Sequence, residues 1–513
     1  MKIDRFGRSA FFALLAFCGF ASEWVAAKEA ALPALAETDA SLDSLLTREA
    51  QRLLDADRLR SSKTPSVTVR VKADIAENLL VIDFGAGFLP AEQDHSTEEI
   101  VQYISNTLAA YAGQAGLHEV QVQVLYEGKP FEFYFPWPYD PDHRAETARV
   151  LNGIVLVSAG HGLVRVHPGG EWEYQRRVYH GVREDLITPG YADELQQLMQ
   201  DRSQVVVHRA RRDGVEPHPE ALQPWEQMSS RYHLKALLPE RVDIWNHFAG
   251  STARDREVLD DIRARPYFAN HLGAEGMISI HTNGDDSGVA RGSRVYFHRG
   301  KPQDRELAAM LLCYMKELIT AEDGYSEFPV STSPSSGNHG ENGFATMPAA
   351  VVEVAFHTNA ADAMALQDPL FRTAAMKGVE KGYRLHREGR DCAPLKAGPI
   401  RGLQLPQGMS EEVDVPFEGY PQYPIELVTT NIACPPTWTC RDGLVRIHAP
   451  GDQPYRITIR CENVGTAPVI WHTSVVDADG VKSPPVRHSV VCIRNTGRAD
   501  LDVSVAAGGA VAG

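Results

Sequence analysis

Two histidines and one glutamate, each at the end of or within an apolar run, are the residues in this sequence best suited to chemistry. His161 lies in the stretch Ser158-Ala159-Gly160-His161-Gly162, which comes directly after the apolar residues 154–157, and His281 directly follows the run 277–280. Glu353 is the one carboxylate in an otherwise apolar run. Parallel strands bring such positions together at one edge of a sheet. Imidazole and carboxylate ligands are typical of catalytic zinc, so the pattern suggests a zinc hydrolase.

Glu353 is the clearest of these residues, because Val351, Val352, Val354 and Phe356 surround it in the sequence. An unpaired buried carboxylate costs several kcal/mol, so it needs a partner or must face a site. A position on the exposed face of an edge strand is the alternative. In the functional interpretation Glu353 takes a proton from the attacking water and returns one to the leaving amine.

The elements that must position these residues lie between about 150 and 390. Apolar β-branched runs alternate there with helical stretches, which predicts an α/β fold with a mainly parallel sheet flanked by helices. The last of these helices is expected to start after Asn359 and to run through Tyr383. An insertion at about 215–264 is expected to form a wall of the site, a lid or a partner surface.

The flanking segments have different patterns. Residues 65–135 predict two strands, a helix from Ser96 to Ala112 and a further strand, which together make a small α/β accessory domain. Residues 405–505 carry short alternating strands with turns between them, including one at 501–505, and predict a β-sandwich. Residues 28–63 have a helical pattern without a clear core face, as in a linker helix.

The first 27 residues have the pattern of a signal peptide. Lys2, Arg5 and Arg8 precede an apolar segment, and Val25-Ala26-Ala27 fits signal-peptidase cleavage. An uncleaved membrane anchor is the alternative. No other segment has the roughly 20 apolar residues that a membrane span needs, so we expect an exported protein, periplasmic or cell-wall associated. The net charge of −16 argues against a nucleic-acid partner.

Seven cysteines are present, and four of them fall in the last eighty residues. In an oxidising compartment this clustering favours disulfides, and the preferred pairs are Cys434 with Cys440 and Cys461 with Cys492. Cys313 lies in a helical apolar stretch, and the sequence favours a buried free thiol there.

Three motifs resemble those of the zinc-dependent N-acetylmuramoyl-L-alanine amidases of the amidase 3 type. They are Ala159-Gly160-His161-Gly162, then Ile278-Ser279-Ile280-His281-Thr282-Asn283, and a block from Met347 to Asn359 that contains Glu353. The resemblance implies a phosphorylase/hydrolase-like fold over 150–390 and one Zn²⁺. It also implies cleavage of the amide between N-acetylmuramic acid and L-alanine in peptidoglycan or muropeptides, with His161 and His281 as ligands and Glu353 in catalysis.

The same family has a glutamate as its third metal ligand, at the start of the first long helix. Glu184 occupies that position here, ahead of a helix through Ala192 and Leu198, although Glu171 and Glu173 are alternatives. A carboxylate in a first helical turn is also favoured by the helix dipole alone. His357 follows the catalytic block and is a candidate for contact with the ligands.

The N-terminal segment 65–135 is similar to the GerMN domain of spore-germination proteins. The similarity lies in residues 80–84, in Asn106-Thr107-Leu108 and in residues 122–125 before Gly128. It implies an accessory domain. A protein regulator could act through the accessory domains, and the β-sandwich could bind the wall or such a regulator.

Two other functions fit part of the pattern. A zinc carboxypeptidase would need His-x-x-Glu, but Val164 stands three residues after His161. A non-catalytic wall-binding or regulatory protein on a decayed amidase fold would not need His161, His281 and Glu353 intact.

Overall fold

The computed structural model describes residues 39–56, 67–90, 97–117, 120–135, 152–167 and 169–495. The predicted signal peptide, the predicted helix cap Ser96 and the predicted strand at 501–505 lie outside these residues. Within the described residues, no helix combines the length and the apolar character required to cross a membrane.

The N-terminal region, residues 39–135, contains a three-stranded sheet and three helices. The sheet has the order β1-β2-β3, with β1 and β2 antiparallel and β2 and β3 parallel. The elements are β1 (Val69–Asp74), β2 (Leu79–Phe84), β3 (Gln121–Tyr126), α1 (Asp39–Ala56), α2 (Glu98–Gln114) and α3 (Phe131–Tyr134).

The prediction of a linker helix for residues 28–63 is wrong for α1. This helix buries a face of small and branched apolar residues next to β1, namely Leu42, Leu46, Ala50, Leu53 and Leu54. These residues recur at helical spacing, three or four positions apart, with polar and charged residues between them.

A six-stranded sheet organises the central region, residues 152–387, in the order β10-β9-β11-β8-β4-β7. Of its neighbouring pairs, only β9 and β11 are antiparallel. The predicted α/β class with a mainly parallel sheet is confirmed. The strands are β4 (Ile154–Ala159), β7 (Val206–Arg209), β8 (Gly276–Asn283), β9 (Arg294–His298), β10 (Ser335–Gly337) and β11 (Ala349–Phe356), and a hairpin adds β5 (Leu163–Arg165) and β6 (Trp172–Tyr174).

Helices cover both faces of this sheet, because successive strand residues point to opposite sides. Val155 and Val157 of β4 pack into a core with α4, α8, α10 and α11, whereas Leu156 packs with α5, α6 and α7. The helices are α4 (Glu184–Leu198), α5 (Ser230–Leu237), α6 (Val242–Trp245), α7 (Arg256–Leu272), α8 (Pro302–Ala321), α9 (Gly340–Gly343), α10 (Ala360–Gln367) and α11 (Pro369–Arg387).

The C-terminal region, residues 396–493, is built of strands. A five-stranded sheet has the order β13-β20-β19-β16-β17, β14 pairs with β18, and β12 pairs with β15. Val413 and Ile457 of the small sheet share one core with Leu427 and Val475 of the large one. The strands are β12 (Lys396–Ala397), β13 (Leu403–Pro406), β14 (Ser410–Val415), β15 (Phe417–Glu418), β16 (Ile425–Ala433), β17 (Gly443–Ile447), β18 (Tyr455–Arg460), β19 (Val469–Val476) and β20 (Val486–Ile493).

Three disulfides are present in the described part of the chain. Cys434–Cys440 and Cys461–Cys492 form the pairs that the sequence predicts. The prediction of a free thiol at Cys313 is wrong, because Cys313 in α8 is bonded to Cys392, just after α11. The two residues are 79 positions apart, and the packing of α8 against α11 brings them together.

We expect the Cys313–Cys392 disulfide to stabilise the protein more than Cys434–Cys440 does. By loop-closure entropy, a bridge over 79 residues contributes about 4 kcal/mol and one over 6 residues about 2 kcal/mol. Denaturant unfolding of the paired serine variants, Cys313→Ser with Cys392→Ser against Cys434→Ser with Cys440→Ser, measures the difference. Equal losses would contradict the expectation.

Candidate metal centre

His161 is held in an unusual backbone conformation directly after β4. Its φ is 57° and that of Gly162 is 120°, both in the left-handed region that suits glycine. A Cβ atom at Gly160 would lie 2.5 Å from Cε1 and Nδ1 of the His281 ring. The glycine before His161 therefore allows the two imidazoles to approach each other.

Two buried polar residues hold this turn in place. The carboxylate of Asp185 accepts hydrogen bonds from the backbone N–H groups of Gly162, Gln175 and Arg176, each at 2.9 Å. The guanidinium of Arg211, which has no solvent exposure, donates to the carbonyl oxygen of Gly160 at 2.6 Å. The position of His161 is thus fixed by groups that do not themselves face the site.

His161, Glu184 and His281 meet at the carboxyl edge of the sheet. His161 follows β4, Glu184 is the first residue of α4, and His281 lies near the end of β8. His161 Nε2 lies 3.1 Å from His281 Nδ1 and 3.2 Å from Glu184 Oε1, and His281 Nδ1 lies 3.1 Å from the same oxygen. These three buried side chains could hold a metal ion.

The electrostatics of this cluster favour a positive charge at its centre. Burial lowers the pKa of His161 to about 3, with Arg176 acting in the same direction. Burial also lowers the pKa of His281, but the carboxylates of Glu341 and Glu184 outweigh it and raise that pKa to about 10. Burial raises the pKa of Glu184, yet His161, His281 and Arg176 together hold it well below its usual range.

Glu353 lies beside the cluster on the neighbouring strand. It is paired in register with His281, because β11 and β8 run parallel. Its side chain is buried, and its Oε2 has no hydrogen-bond partner among the described residues. Burial, with a further contribution from Glu184, raises the pKa of Glu353 to about 7. A carboxylate that can gain or lose a proton near neutrality is suited to general acid–base chemistry.

The alternatives to Glu184 lie elsewhere. Glu171 and Glu173 are exposed, and Glu173 pairs with Arg254 on the surface at 3.1 Å. His357 is buried and its Nδ1 lies 2.9 Å from the hydroxyl of Thr282, the residue after His281. Of the glutamates that the sequence left open, only Glu184 is within contact distance of the two histidines.

Helix α2 of the N-terminal region lies against this site. Gln102 Nε2 donates to Glu353 Oε1 at 2.7 Å, and Gln102 Oε1 lies 2.8 Å from His339 Nε2. Asn106, which is 1% exposed, bonds to Asn283 at 2.6 Å and to Arg294 at 2.7 Å. The candidate base is therefore in direct contact with a residue from outside the central region.

A cavity of about 490 Å³ adjoins α2. Gln102, Asn106, Arg294, Tyr296 and His339 are among its lining residues, but His161, Glu184 and His281 are not. The three candidate metal ligands therefore do not line the cavity, whereas Gln102, which contacts Glu353, does.

Several residues of the site were not predicted from the sequence. Gln175 contacts His161, Glu341 contacts His281, and Gln102 contacts Glu353. Glu341 stands in the short helix α9, Gly340–Gly343, where no motif of the sequence marks it. Gln102 lies in a helical pattern that carries no signal of contact with a site more than 250 residues away.

The fold and this geometry define an α/β protein with a candidate metal centre at the carboxyl edge of its central sheet. Residues 155–383 match the family model of N-acetylmuramoyl-L-alanine amidase. The family resemblance predicted from the sequence is thereby confirmed over these residues. No curated protein matches the chain.

Solved structures of amidases are similar to the central region. The catalytic domain of CwlV, an N-acetylmuramoyl-L-alanine amidase from Bacillus (Paenibacillus) polymyxa var. colistinus, is 16% identical, with 46% of this chain and 98% of that chain covered and a TM-score of 0.31. The CwlD amidase from Clostridioides difficile, in complex with the GerS lipoprotein, is 14% identical over 46% of this chain and 100% of that chain, with a TM-score of 0.31. Ami1 from Mycobacterium smegmatis is 14% identical over 45% of this chain and 94% of that chain, with a TM-score of 0.30.

Proposed function

We propose that this protein is an exported, zinc-dependent N-acetylmuramoyl-L-alanine amidase that hydrolyses the bond between N-acetylmuramic acid and the L-alanine of the stem peptide. The family match over residues 155–383 supports the activity. The observation that carries the proposal is the meeting of His161 Nε2, His281 Nδ1 and Glu184 Oε1 at 3.1–3.2 Å. Two imidazole nitrogens and a carboxylate oxygen at these separations can share one cation among them.

The donor set fits zinc. Two ligand atoms at 2.0–2.1 Å from a tetrahedral zinc lie about 3.3 Å apart, close to the separations in this cluster. Two imidazoles and one carboxylate also leave a fourth position for water, as catalytic zinc sites require. His161, Glu184 and His281 would hold one Zn²⁺, which when bound supplies an acidified water and polarises the scissile carbonyl.

Glu353 is the proposed catalytic residue. Its carboxylate takes the proton of the attacking water and then delivers a proton to the nitrogen of L-alanine as the amide bond breaks. The raised pKa of Glu353, about 7, suits both steps near neutral pH. The sheet register beside His281 keeps this carboxylate next to the ligands throughout.

Export to the periplasm or the cell wall is part of the same proposal. Three disulfides among the described residues are typical of an oxidising compartment. The substrate named in the family description, an N-acetylmuramoyl-L-alanine amide, belongs to that compartment.

We further propose that the N-terminal region regulates access to the site. The cluster residues are 7%, 1% and 7% exposed for His161, Glu184 and His281, and Glu353 is 4% exposed. Side chains buried to this degree leave little room for a peptidoglycan strand beside them. Because α2 contacts Glu353 directly, substrate binding requires that α2 moves away, and a protein regulator that draws the N-terminal region aside would increase the rate.

The experiment that tests the proposed activity is digestion of purified sacculi. We expect new L-alanine N-termini and free stem peptides, loss of this release when a chelator removes the metal, and recovery when about one equivalent of Zn²⁺ is returned. Glycan cleavage without new L-alanine termini would contradict the amidase assignment. Release that survives complete removal of the metal would contradict zinc dependence, and binding to sacculi without release would indicate a wall-binding protein.

A further inference from the structure

Each histidine of the candidate metal centre also contacts a side chain through its second ring nitrogen. His161 Nδ1 lies 3.2 Å from Gln175 Oε1, and His281 Nε2 lies 3.1 Å from Glu341 Oε1. In each imidazole these are the nitrogen atoms that face away from Glu184. The outer contact thus determines which nitrogen of each ring faces inward.

One continuous chain of side chains connects these two outer contacts. The amide of Gln175 donates to Asp261 Oδ2 at 3.4 Å. Arg265, one helical turn after Asp261 in α7, donates to Asp261 through one Nη atom and to Glu341 through the other. The chain therefore runs from His161 to His281 without passing through the centre of the cluster.

The acceptors in this chain set the tautomers of both rings. An ionised carboxylate can only accept, so His281 Nε2 donates to Glu341, and in the neutral ring that would bind a metal the lone pair is on Nδ1 and faces inward. Gln175 directs its amide nitrogen to Asp261, so its oxygen faces His161 and Nδ1 of that ring donates. Nε2 of His161 then also offers its lone pair to the centre.

Stability alone does not account for these charges. Asp261 and Arg265 have no solvent exposure and Glu341 is 5% exposed. The desolvation free energy of a buried carboxylate and guanidinium offsets much of the Coulombic attraction between them. Replacing a buried ion pair by apolar residues is therefore often neutral or stabilising. The planar fork of Arg265 instead gives directional contacts that fix both carboxylates.

We propose that Glu341, oriented by Arg265, is a positioning residue that holds His281 with Nδ1 toward the metal, and that Asp261 and Gln175 extend this control to His161. The inference rests on the proposed zinc centre. Residues outside the ligand set, in helices α7 and α9, would then contribute to the affinity for the metal.

The test measures the zinc dissociation constant of the full chain by chelator competition. Outer partners of zinc-bound histidines affect metal affinity by about 10- to 100-fold, so we expect a loss in that range for Glu341→Ala. Glu341→Gln retains an acceptor for His281 and is expected to lose less. The absorption spectrum of the Co²⁺-substituted protein should also change in Glu341→Ala, because the orientation of His281 changes.

Glu317→Gln is the matched control. Glu317 is likewise a buried, ion-paired glutamate of the central region, with Lys381 at 2.6 Å, but it lies outside this chain of contacts. We expect the Glu317→Gln variant to bind zinc with wild-type affinity, even where its free energy of unfolding is lower.

Different results would contradict the zinc-dependent function and the positioning role of Glu341. A wild-type protein that binds no zinc overturns the proposed function and this inference with it. Wild-type zinc affinity in Glu341→Ala overturns the positioning role alone. If Glu341→Ala does not fold, Glu341→Leu decides, because its side chain fills similar space without an acceptor, and an unchanged dissociation constant and Co²⁺ spectrum in that folded variant also overturn the role.

Discussion

Glu353→Gln is expected to abolish release of stem peptides from sacculi while zinc remains bound. The amide keeps the size and the hydrogen bond to Gln102 but cannot take a proton from water. General acid–base catalysis contributes about 10²- to 10⁴-fold to a rate, so we expect a loss of at least this order. Peptide release under single-turnover conditions and the zinc content of the same preparation measure the two effects separately.

Two comparisons support the interpretation of this result. Glu184→Gln should lose both zinc and activity, because Glu184 lies among the metal ligands and not beside them. Glu194→Gln, which changes a carboxylate of α4 that pairs with Arg372 at 2.8 Å, should keep both. Full activity in Glu353→Gln would show that another group moves the proton.

The paired change Gln102→Ala with Asn106→Ala is expected to increase the rate of the full-length protein on sacculi. Gln102 and Asn106 donate hydrogen bonds from α2 to Glu353 and Asn283, at 2.7 and 2.6 Å. These two bonds alone contribute about 1–3 kcal/mol, and the contacts with His339 and Arg294 are lost as well, so the open population should rise at least about 5- to 150-fold. The rate should rise by the same factor until the open state predominates.

Gln114→Ala is the control on the same helix, because Gln114 is exposed at the last residue of α2. It should leave the rate unchanged. Hydrogen exchange of the α2 amides should become faster in the paired variant and not in the control. An unchanged rate would show that α2 does not limit access, and a slower one would show that Gln102 assists the reaction.

The sequence identifies those site residues that interrupt or directly follow an apolar strand pattern. His161 and Glu353 stand out because a polar side chain beside or within a buried strand needs a reason. Glu341 and Gln102 have no such signal, since a glutamate in a short helix and a glutamine in an amphipathic helix are ordinary residues there. Only the packing of α7, α9 and α2 around the sheet brings them to the site.

The sequence likewise predicts the central sheet but not the contacts between elements that are far apart in the chain. Long β-branched runs such as β8 and β11 indicate a parallel sheet because their residues are buried on both faces. The Cys313–Cys392 bond depends on the packing of two helices far apart in sequence, and no local pattern reports it. The buried face of α1 depends on its contact with β1, which sequence periodicity alone did not reveal.

The Cys313–Cys392 bond also distinguishes how the two flanking regions are fastened to the central one. On the C-terminal side it ties α8 to the segment that leads into the strands, and Asp479 pairs there with Arg202 and Lys377 at 2.7 and 2.9 Å. The N-terminal region has no such bond, because no cysteine lies between Cys18 and Cys313. A load applied to the C-terminal region would carry the metal centre with it. A load on the N-terminal region would instead be resisted at the site by non-covalent contacts of α2, such as those of Gln102 and Asn106.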